Sequence, residues 1–366
     1  MKRIRLAVIG TGMAWGKLHW PAIQELSDRY EIVAVCNRTK SDAENFARQI
    51  NLDFKNVYDN HHEMLLRDDI DAVDVMVPIE QNYDIAADVM KANKNLIVEK
   101  PLSATMEGAQ SLVDLHRKHN VKVMVAENYR YNEEINKIRD IIYQGKIGQV
   151  VYFISNNVVD FETELKKDTF AAKEWRQYPQ FRGGMFLDAA IHDIAGMRHI
   201  FGAVEHVYAM GIPQQEAYNP YISINTQIKF KTGVIGQFSY FPDGKETQAP
   251  LVGFRIFGMN GEIYLEEKTC GIINIAYRDG SREQIRYTPK RGYYNELLNF
   301  YHALNGTEEI SVTPEIEYGD MKMVFDILQS IENKKTVYVD TIEPSTHRPH
   351  EIYMHDYEVD RQKYLH

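Results

Sequence analysis

Asp188 and His192 stand four residues apart in the run Gly183-Gly184-Met185-Phe186-Leu187-Asp188-Ala189-Ala190-Ile191-His192-Asp193. On a helix that spacing puts both side chains on one face, where a carboxylate orients an imidazole and holds its protonated form. Three chemistries fit the pair: a solvated ion pair worth about 0.3 kcal/mol, part of a metal site, or an acid/base pair. A catalytic zinc takes three protein ligands, and no third stands nearby at a ligating spacing, so no metal is expected. Taken alone, the spacing favours the surface pair. The glycines ahead of the helix suit close approach of a substrate or cofactor. The other chemical group is Lys100 in Glu99-Lys100-Pro101, directly after an apolar run. From position alone, its ammonium reads as a solvated charge beside an open cleft.

A third pattern involves the backbone. The apolar run Ile4-Arg5-Leu6-Ala7-Val8-Ile9 breaks into Gly10-Thr11-Gly12-Met13-Ala14-Trp15-Gly16. This is a buried strand feeding a helix through a glycine turn. Gly10 permits the sharp turn, Gly12 admits a pyrophosphate to the backbone, and Gly16 allows helix to pack on strand, with phosphate charge meeting the helix N-terminus. The spacing G-x-G-x-x-x-G is one residue longer than the commonest form. Gly10, Thr11, Gly12, Met13 and Trp15 are therefore the first dinucleotide-binding candidates.

The next β-branched run, Glu31-Ile32-Val33-Ala34-Val35-Cys36, completes a strand, crossover and strand. In such a unit an acidic residue after the second strand bonds the adenine-ribose 2′-hydroxyl. Here the chain reads Asn37-Arg38-Thr39-Lys40. With no carboxylate to repel a phosphate, and a guanidinium, a hydroxyl and an ammonium to hold one, the expectation is NADP ahead of NAD. The NAD alternative has Arg38 stacked on adenine and Asn37 bonded to a free hydroxyl.

The elements that must carry these groups follow from periodicity. Helices are expected over residues 41–50, capped by Ser41, and over 61–66, 86–92 and 107–119; strands over 71–77, 95–99 and 121–126. His61 and His62 read as solvated. Strictly alternating strands and helices predict an α/β Rossmann domain, a doubly wound parallel sheet, over residues 1–127. Lys100 then lies at the carboxyl edge of that sheet, where ligands bind.

Beyond residue 128 strands dominate, over 149–157, 204–211, 221–230, 234–241, 251–258, 262–267 and 271–277. Ile222, Ile224, Ile228 and Phe230 alternate with Ser223, Asn225, Gln227 and Lys229. The pattern predicts an α+β domain with an open, largely antiparallel sheet over residues 128–340, closed by helices over 293–304 and 316–332 and a short strand over 336–339. Residues 341–366 form a polar extension. Metal binding by its His347, His350 and His355 is weighed against an arm lying on a neighbouring subunit or on the chain itself, and the arm is preferred.

Composition bounds the function. At 366 residues two domains are the default, and 44% apolar residues mark a packed protein. A formal net charge of −10 argues against a nucleic-acid surface. The two cysteines, Cys36 and Cys270, offer no disulfide framework and fit a reducing cytoplasm. The first apolar run ends at Gly10, too short for a secretory signal, and no segment approaches a membrane span.

The glycine turn, Pro78 before a helix, Glu99-Lys100-Pro101, and Gly183-Gly184 followed by Asp188-x-x-x-His192 together resemble the Gfo/Idh/MocA oxidoreductases over the chain to about residue 340. The resemblance implies a Rossmann domain plus an open-sheet domain whose sheet builds homodimers or homotetramers. It also implies that Lys100, Asp188 and His192 are catalytic, that the Lys100-Pro101 junction lies against the nicotinamide, and that Pro78, Asn82 and Glu99 adjoin the cofactor. Three departures stand out: the extra residue brings Trp15 near the pyrophosphate, Asn82 stands where many members carry histidine, and Ala190 replaces a glycine.

The function so implied is hydride transfer between NAD(P) and a secondary hydroxyl or keto group of a sugar, sugar derivative or inositol. His192 takes or returns the hydroxyl proton, Lys100 stabilises the alkoxide or relays the proton, and Asp188 orients the imidazole. Between residues 166 and 182 lie Lys166, Lys167, Lys173, Trp175, Arg176, Tyr178 and Arg182, and Asn128-Tyr129-Arg130-Tyr131 opens the second domain. Asn128, Arg130, Trp175 and Arg176 are the further substrate candidates, aromatic faces packing sugar C–H surfaces and cations pairing with a carboxylate or phosphate. Two other classes remain open: a redox-neutral enzyme that cleaves or eliminates glycosides with retained NAD(H), and a non-catalytic dinucleotide-binding regulator.

Overall fold

A computed structural model describes residues 2–164, 172–244, 253–267 and 269–339. Lys166, Lys167 and the C-terminal stretch with His347, His350 and His355 lie outside the described residues.

In the N-terminal part, strands and helices alternate as β1 (Ile4–Ile9), α1 (Trp20–Glu25), β2 (Tyr30–Cys36), α2 (Lys40–Gln49), β3 (Val57–Tyr58), α3 (His61–Leu65), β4 (Ala72–Val75), α4 (Ile79–Lys91), β5 (Asn95–Glu99), α5 (Met106–Lys118) and β6 (Val123–Ala126). The strands form one six-stranded sheet in the order β3-β2-β1-β4-β5-β6, every pair parallel. Strands buried on both faces read as continuous apolar runs: every residue of β4 and β6 is buried. The order reverses between β1 and β4, so the carboxyl ends of these two neighbours form the switch point where such sheets take ligands.

Some boundaries move. Thr39, not Ser41, occupies the N-cap position of α2, without a side-chain capping hydrogen bond. Helix α4 begins directly after Pro78 and not at residue 86, because the proline holds an extended conformation and ends the strand loop at its N-cap.

The rest of the chain runs α6 (Glu133–Tyr143), β7 (Val150–Val158), α7 (Phe161–Glu164), α8 (Glu174–Gln177), α9 (Met185–Phe201), β8 (Val204–Pro213), β9 (Tyr221–Phe230), β10 (Ile235–Phe241), β11 (Gly253–Gly258), β12 (Gly261–Tyr264), β13 (Ile272–Tyr277), β14 (Arg282–Arg286), α10 (Gly292–Leu304), α11 (Pro314–Asn333) and β15 (Val337–Tyr338). Its nine strands form a mixed, mostly antiparallel sheet in the order β14-β13-β12-β11-β7-β10-β9-β8-β15, with β7 and β10 the parallel pair. Along β9, Ile224, Thr226, Ile228 and Phe230 are buried while Asn225 and Gln227 face water. One sheet face is thus covered, and its core includes Phe153 stacked on Phe201 at 4.6 Å.

The described chain divides into two compact units. The first takes 2–128, 180–182 and 292–318; the second takes the described parts of 129–179, 183–291 and 319–339. A single cut after residue 127 therefore does not describe the division. Helix α10 returns to the first unit because Leu297 and Phe300 need cover: they are fully buried, and Tyr30 Oη donates to Leu297 O at 2.6 Å. Val125 N likewise donates to Val312 O at 3.0 Å. Among the described residues no helix is long and apolar enough to cross a membrane.

Candidate active site

The nucleotide-side residues gather at the carboxyl ends of the first unit's sheet. Gly10 leaves β1 at φ +93°, and a Cβ there would sit 2.2 Å from Met76 O, so only glycine fits. The extra residue of the glycine spacing is absorbed by a π-helical turn, Trp15–His19, which runs into α1. A Cβ on Gly12 would meet open space, leaving its backbone approachable. Gly16 also faces open space, so it does not serve close packing of helix on strand.

Trp15 departs from its expected place. Its indole is fully buried, edge-on to Phe46 at 5.5 Å and 6.1 Å from Trp20. A large apolar ring belongs in the core, and the side chain is not available to a pyrophosphate. Beyond β2, Asn37 Nδ2 donates to Thr11 Oγ1 at 3.0 Å, tying the second strand's end to the glycine turn. Arg38 and Thr39 are exposed.

Asn82 is also redirected. Fully buried on α4, it donates from Nδ2 to Glu99 O at 3.0 Å and Pro101 O at 2.8 Å. Its amide N–H groups clamp the Glu99-Lys100-Pro101 turn, while its buried Oδ1 has no hydrogen-bond partner among the described residues. Within the turn, Lys100 is buried, its backbone N–H donates to Glu99 Oε2 at 3.1 Å, and its peptide to Pro101 is cis. Asn128, just past β6, is buried as well.

Sequence reasoning missed the group behind Glu99. His19, wholly buried, holds Asp74 Oδ2 at 2.8 Å through Nδ1; its Nε2 lies 3.3 Å from Glu296 Oε1 and 3.8 Å from Glu99 Oε1. The Glu296 contact has ion-pair distance without hydrogen-bond alignment. Burial pushes Glu296 up to about 8, against the pull of His19 and with Glu99 and Glu127 adding to the rise. For His19, burial favours the neutral ring, yet the Asp74 and Glu296 carboxyls outweigh it and raise the imidazole well above its ordinary value. An imidazolium paired with Asp74 beside a protonated Glu296 satisfies both directions. The one available signal was Asp74 itself, a carboxylate inside the otherwise apolar β4.

The second unit presents α9. Gly184 opens it at φ +49°, where a Cβ would lie 2.4 Å from Tyr218 O. Met185 N donates to Tyr218 O at 2.8 Å and Phe186 N to Asn219 Oδ1 at 3.2 Å. Gly184 therefore admits the backbone of the neighbouring Tyr218 loop, which caps the helix, while Gly183 packs against Leu328 and Leu187.

Asp188, one turn into α9, is buried and gripped by Arg176 of α8: Nε donates to Oδ2 at 2.5 Å and Nη2 to Oδ1 at 3.3 Å. The guanidinium lies 4.5 Å from the centre of the Trp175 ring. His192, half-buried a turn later, stacks on Tyr129 with ring centroids 4.5 Å apart. Trp175, Arg176 and Asp188 thus belong to one structural arrangement, with His192 on the next turn of α9.

Arg130 holds a second buried carboxylate. Its buried guanidinium forks onto Asp320 at 2.6 and 2.9 Å, and Arg198 binds the same carboxylate. Two guanidinium groups thus share one buried carboxylate, an arrangement that braces the core of the second unit.

A model of the oxidoreductase family with an NAD-binding Rossmann fold matches residues 4–127, and a model of the family's C-terminal alpha/beta domain matches residues 139–342. A Saccharomyces cerevisiae protein is 29% identical over 316 residues, 83% of this chain and 88% of its own length. The myo-inositol 2-dehydrogenase of Thermotoga maritima is 22% identical over 357 residues, 93% of this chain and 99% of the enzyme. The solved structure of a levoglucosan dehydrogenase in complex with NADH and L-sorbose shares the fold, with a TM-score of 0.82 at 20% identity, covering 93% of this chain and 100% of that one.

Proposed function

Because the chain belongs to the Gfo/Idh/MocA oxidoreductase family across both of its units, we propose that it oxidises or reduces a secondary hydroxyl or keto group of a sugar, sugar derivative or inositol, with NADP preferred over NAD. One observation carries this reading. Three neighbouring parallel strands, β1, β4 and β5, end in Gly10, Pro78 and the Glu99-Lys100-Pro101 turn, so the glycine turn and the lysine share one edge of one sheet.

The residues fit a dinucleotide. Gly12 is open, Asn37 braces Thr11, and exposed Arg38 and Thr39 offer a guanidinium and a hydroxyl to a 2′-phosphate with no carboxylate in the Asn37–Lys40 run. Gly10, Thr11, Gly12 and Met13 hold the pyrophosphate side; Pro78 and Glu99 adjoin the nicotinamide side. A bound nicotinamide supplies the hydride acceptor or donor.

This chain's residues manage the proton. Lys100, held by the Asn82 clamp, stabilises negative charge on the substrate oxygen. His192 accepts or returns the hydroxyl proton. Asp188 and Arg176 fix one another one turn before His192 and hold the helix face that presents it. The relatives' names, an inositol dehydrogenase and a levoglucosan dehydrogenase, support a polyhydroxylated substrate.

Exposed Met210, Ile212 and Ile235 on the second unit's sheet support a homodimer or homotetramer through that face. Free Cys36 and Cys270 support a reducing, cytoplasmic setting.

The direct test is a panel of sugars, uronates and inositols assayed with NAD and with NADP. Turnover of a polyol with stoichiometric change in nicotinamide absorbance supports the reading. Product formed with no net absorbance change, from protein carrying copurified cofactor, would assign redox-neutral glycoside cleavage instead.

A further inference from the structure

His61 and His62 open α3, whose N-cap Asn60 accepts from His62 N at 3.0 Å. Neighbours on a helix ordinarily point about 100° apart. These two do not diverge: the rings lie side by side, centroids 4.1 Å apart and planes inclined by 35°. Both aim Nε2 at one oxygen of Asp88, which projects from α4. His61 Nε2 lies 3.1 Å from Asp88 Oδ2 and His62 Nε2 3.7 Å from it, and all three atoms fall within 4.8 Å of one another. The other carboxylate oxygen, Oδ1, is 3.8 Å from Lys91 Nζ.

Two neutral rings with their protons on Nε2 would also converge on this oxygen, but the 3.7 Å gap of His62 is too long for a hydrogen bond. Protonating both places like charges about 4 Å apart, which is unfavourable. One cation among the three atoms satisfies both lone pairs and the carboxylate together. The dimensions agree: a tetrahedral centre with bonds of about 2.0–2.1 Å separates its ligands by about 3.3 Å, within the span of the two measured gaps.

We propose that His61, His62 and Asp88 form a binding site for a divalent first-row transition cation of the zinc class, which ties α3 to α4. Two imidazoles and one carboxylate suit zinc, cobalt, nickel or copper over calcium or magnesium, which prefer all-oxygen sets. The site lies on one face of the first unit, and His62, 64% exposed, leaves the fourth position to solvent. It anchors the same helix that carries Asn82, and so stiffens the support of the Glu99-Lys100-Pro101 turn. The surface reading of these histidines as solvated side chains misses Asp88 because the partner comes from another helix.

The test titrates chelator-treated full-length protein with Zn2+ and, separately, with Co2+. The chain has thirteen histidines, so the readout is the difference between the parent and the variants His61→Ala, His62→Ala and Asp88→Asn. The parent should bind one Zn2+ more per chain than each variant, and its Co2+ form should show tetrahedral visible bands that each variant lacks. Added Zn2+ should raise the parent's melting temperature and leave the variants' unchanged. His62→Ala removes a mostly exposed ring and Asp88→Asn preserves shape, and metal-free turnover of both variants should equal the parent's. Equal Zn2+ stoichiometry and affinity in parent and variants, or a Co2+ spectrum indifferent to the substitutions, would overturn the site and leave an ordinary histidine–carboxylate ion pair.

Discussion

Arg176 holds Asp188 with two guanidinium nitrogens, Nε at 2.5 Å from Oδ2 and Nη2 at 3.3 Å from Oδ1. A carboxylate so buried depends on the two guanidinium hydrogen bonds, which makes Arg176 as necessary to the α9 face as Asp188 itself.

Replacing Arg176 by Met should strip two guanidinium hydrogen bonds from the buried Asp188, a change that costs about 3 kcal/mol. The melting temperature should fall by several degrees and turnover should drop sharply. The double variant Arg176→Met/Asp188→Asn should recover much of the lost stability while staying slow, measured by thermal melts and steady-state kinetics.

Asn82→Ala removes two hydrogen bonds to the carbonyls of Glu99 and Pro101, each worth about 1 kcal/mol. Turnover should fall by about tenfold as the lysine turn loosens, with dinucleotide affinity changing much less. A variant that loses cofactor affinity and keeps turnover would show that Asn82 contacts the cofactor instead.

The Rossmann half was legible in the sequence because buried parallel strands write themselves as apolar runs, and β9 because one-sided burial writes strict alternation. Side-chain direction was not legible. Trp15, Asn82 and Arg130 have the residue types of ligand contacts, yet packing turns the indole into the core, the amide onto two carbonyls and the guanidinium onto Asp320. Helix α6 was missed although Ile135, Ile138 and Ile142 carry helical spacing; strand β14, Arg-Glu-Gln-Ile-Arg, is a charged edge strand with no apolar signal. Nothing local could reveal that residues 292–318 return to the first unit, or that Glu296 meets His19.

That buried group makes stability depend on pH. Glu296 rises from an ordinary 4.5 to about 8 in the folded chain, so the native state keeps a proton that the unfolded state loses. Its contribution is therefore full below about pH 4.5 and is lost as pH rises through about 8, with a slope of up to about 1.4 kcal/mol per pH unit. His19, also raised, acts in the same direction: its contribution is full below its ordinary 6.5 and is lost as pH climbs through its raised value. Urea unfolding from about pH 5 to about pH 9 should show falling stability, and Glu296→Gln should flatten the slope between about 5 and 8.

Cofactor choice rests on the exposed end of β2. Arg38→Ala should lower kcat/KM with NADPH by about 10- to 100-fold, the worth of a charge-assisted contact, and leave the value with NADH nearly unchanged. Equal losses with both cofactors would mean that Arg38 stacks on adenine and reads no phosphate.

The most direct measurement is single-turnover hydride transfer by Lys100→Met, with cofactor affinity measured on the same protein. The account predicts a rate lower by about 10²- to 10⁴-fold at unchanged dinucleotide affinity, with His192→Asn comparably slow and the double variant little slower than either. Near-parent rates in Lys100→Met that binds cofactor normally would contradict it.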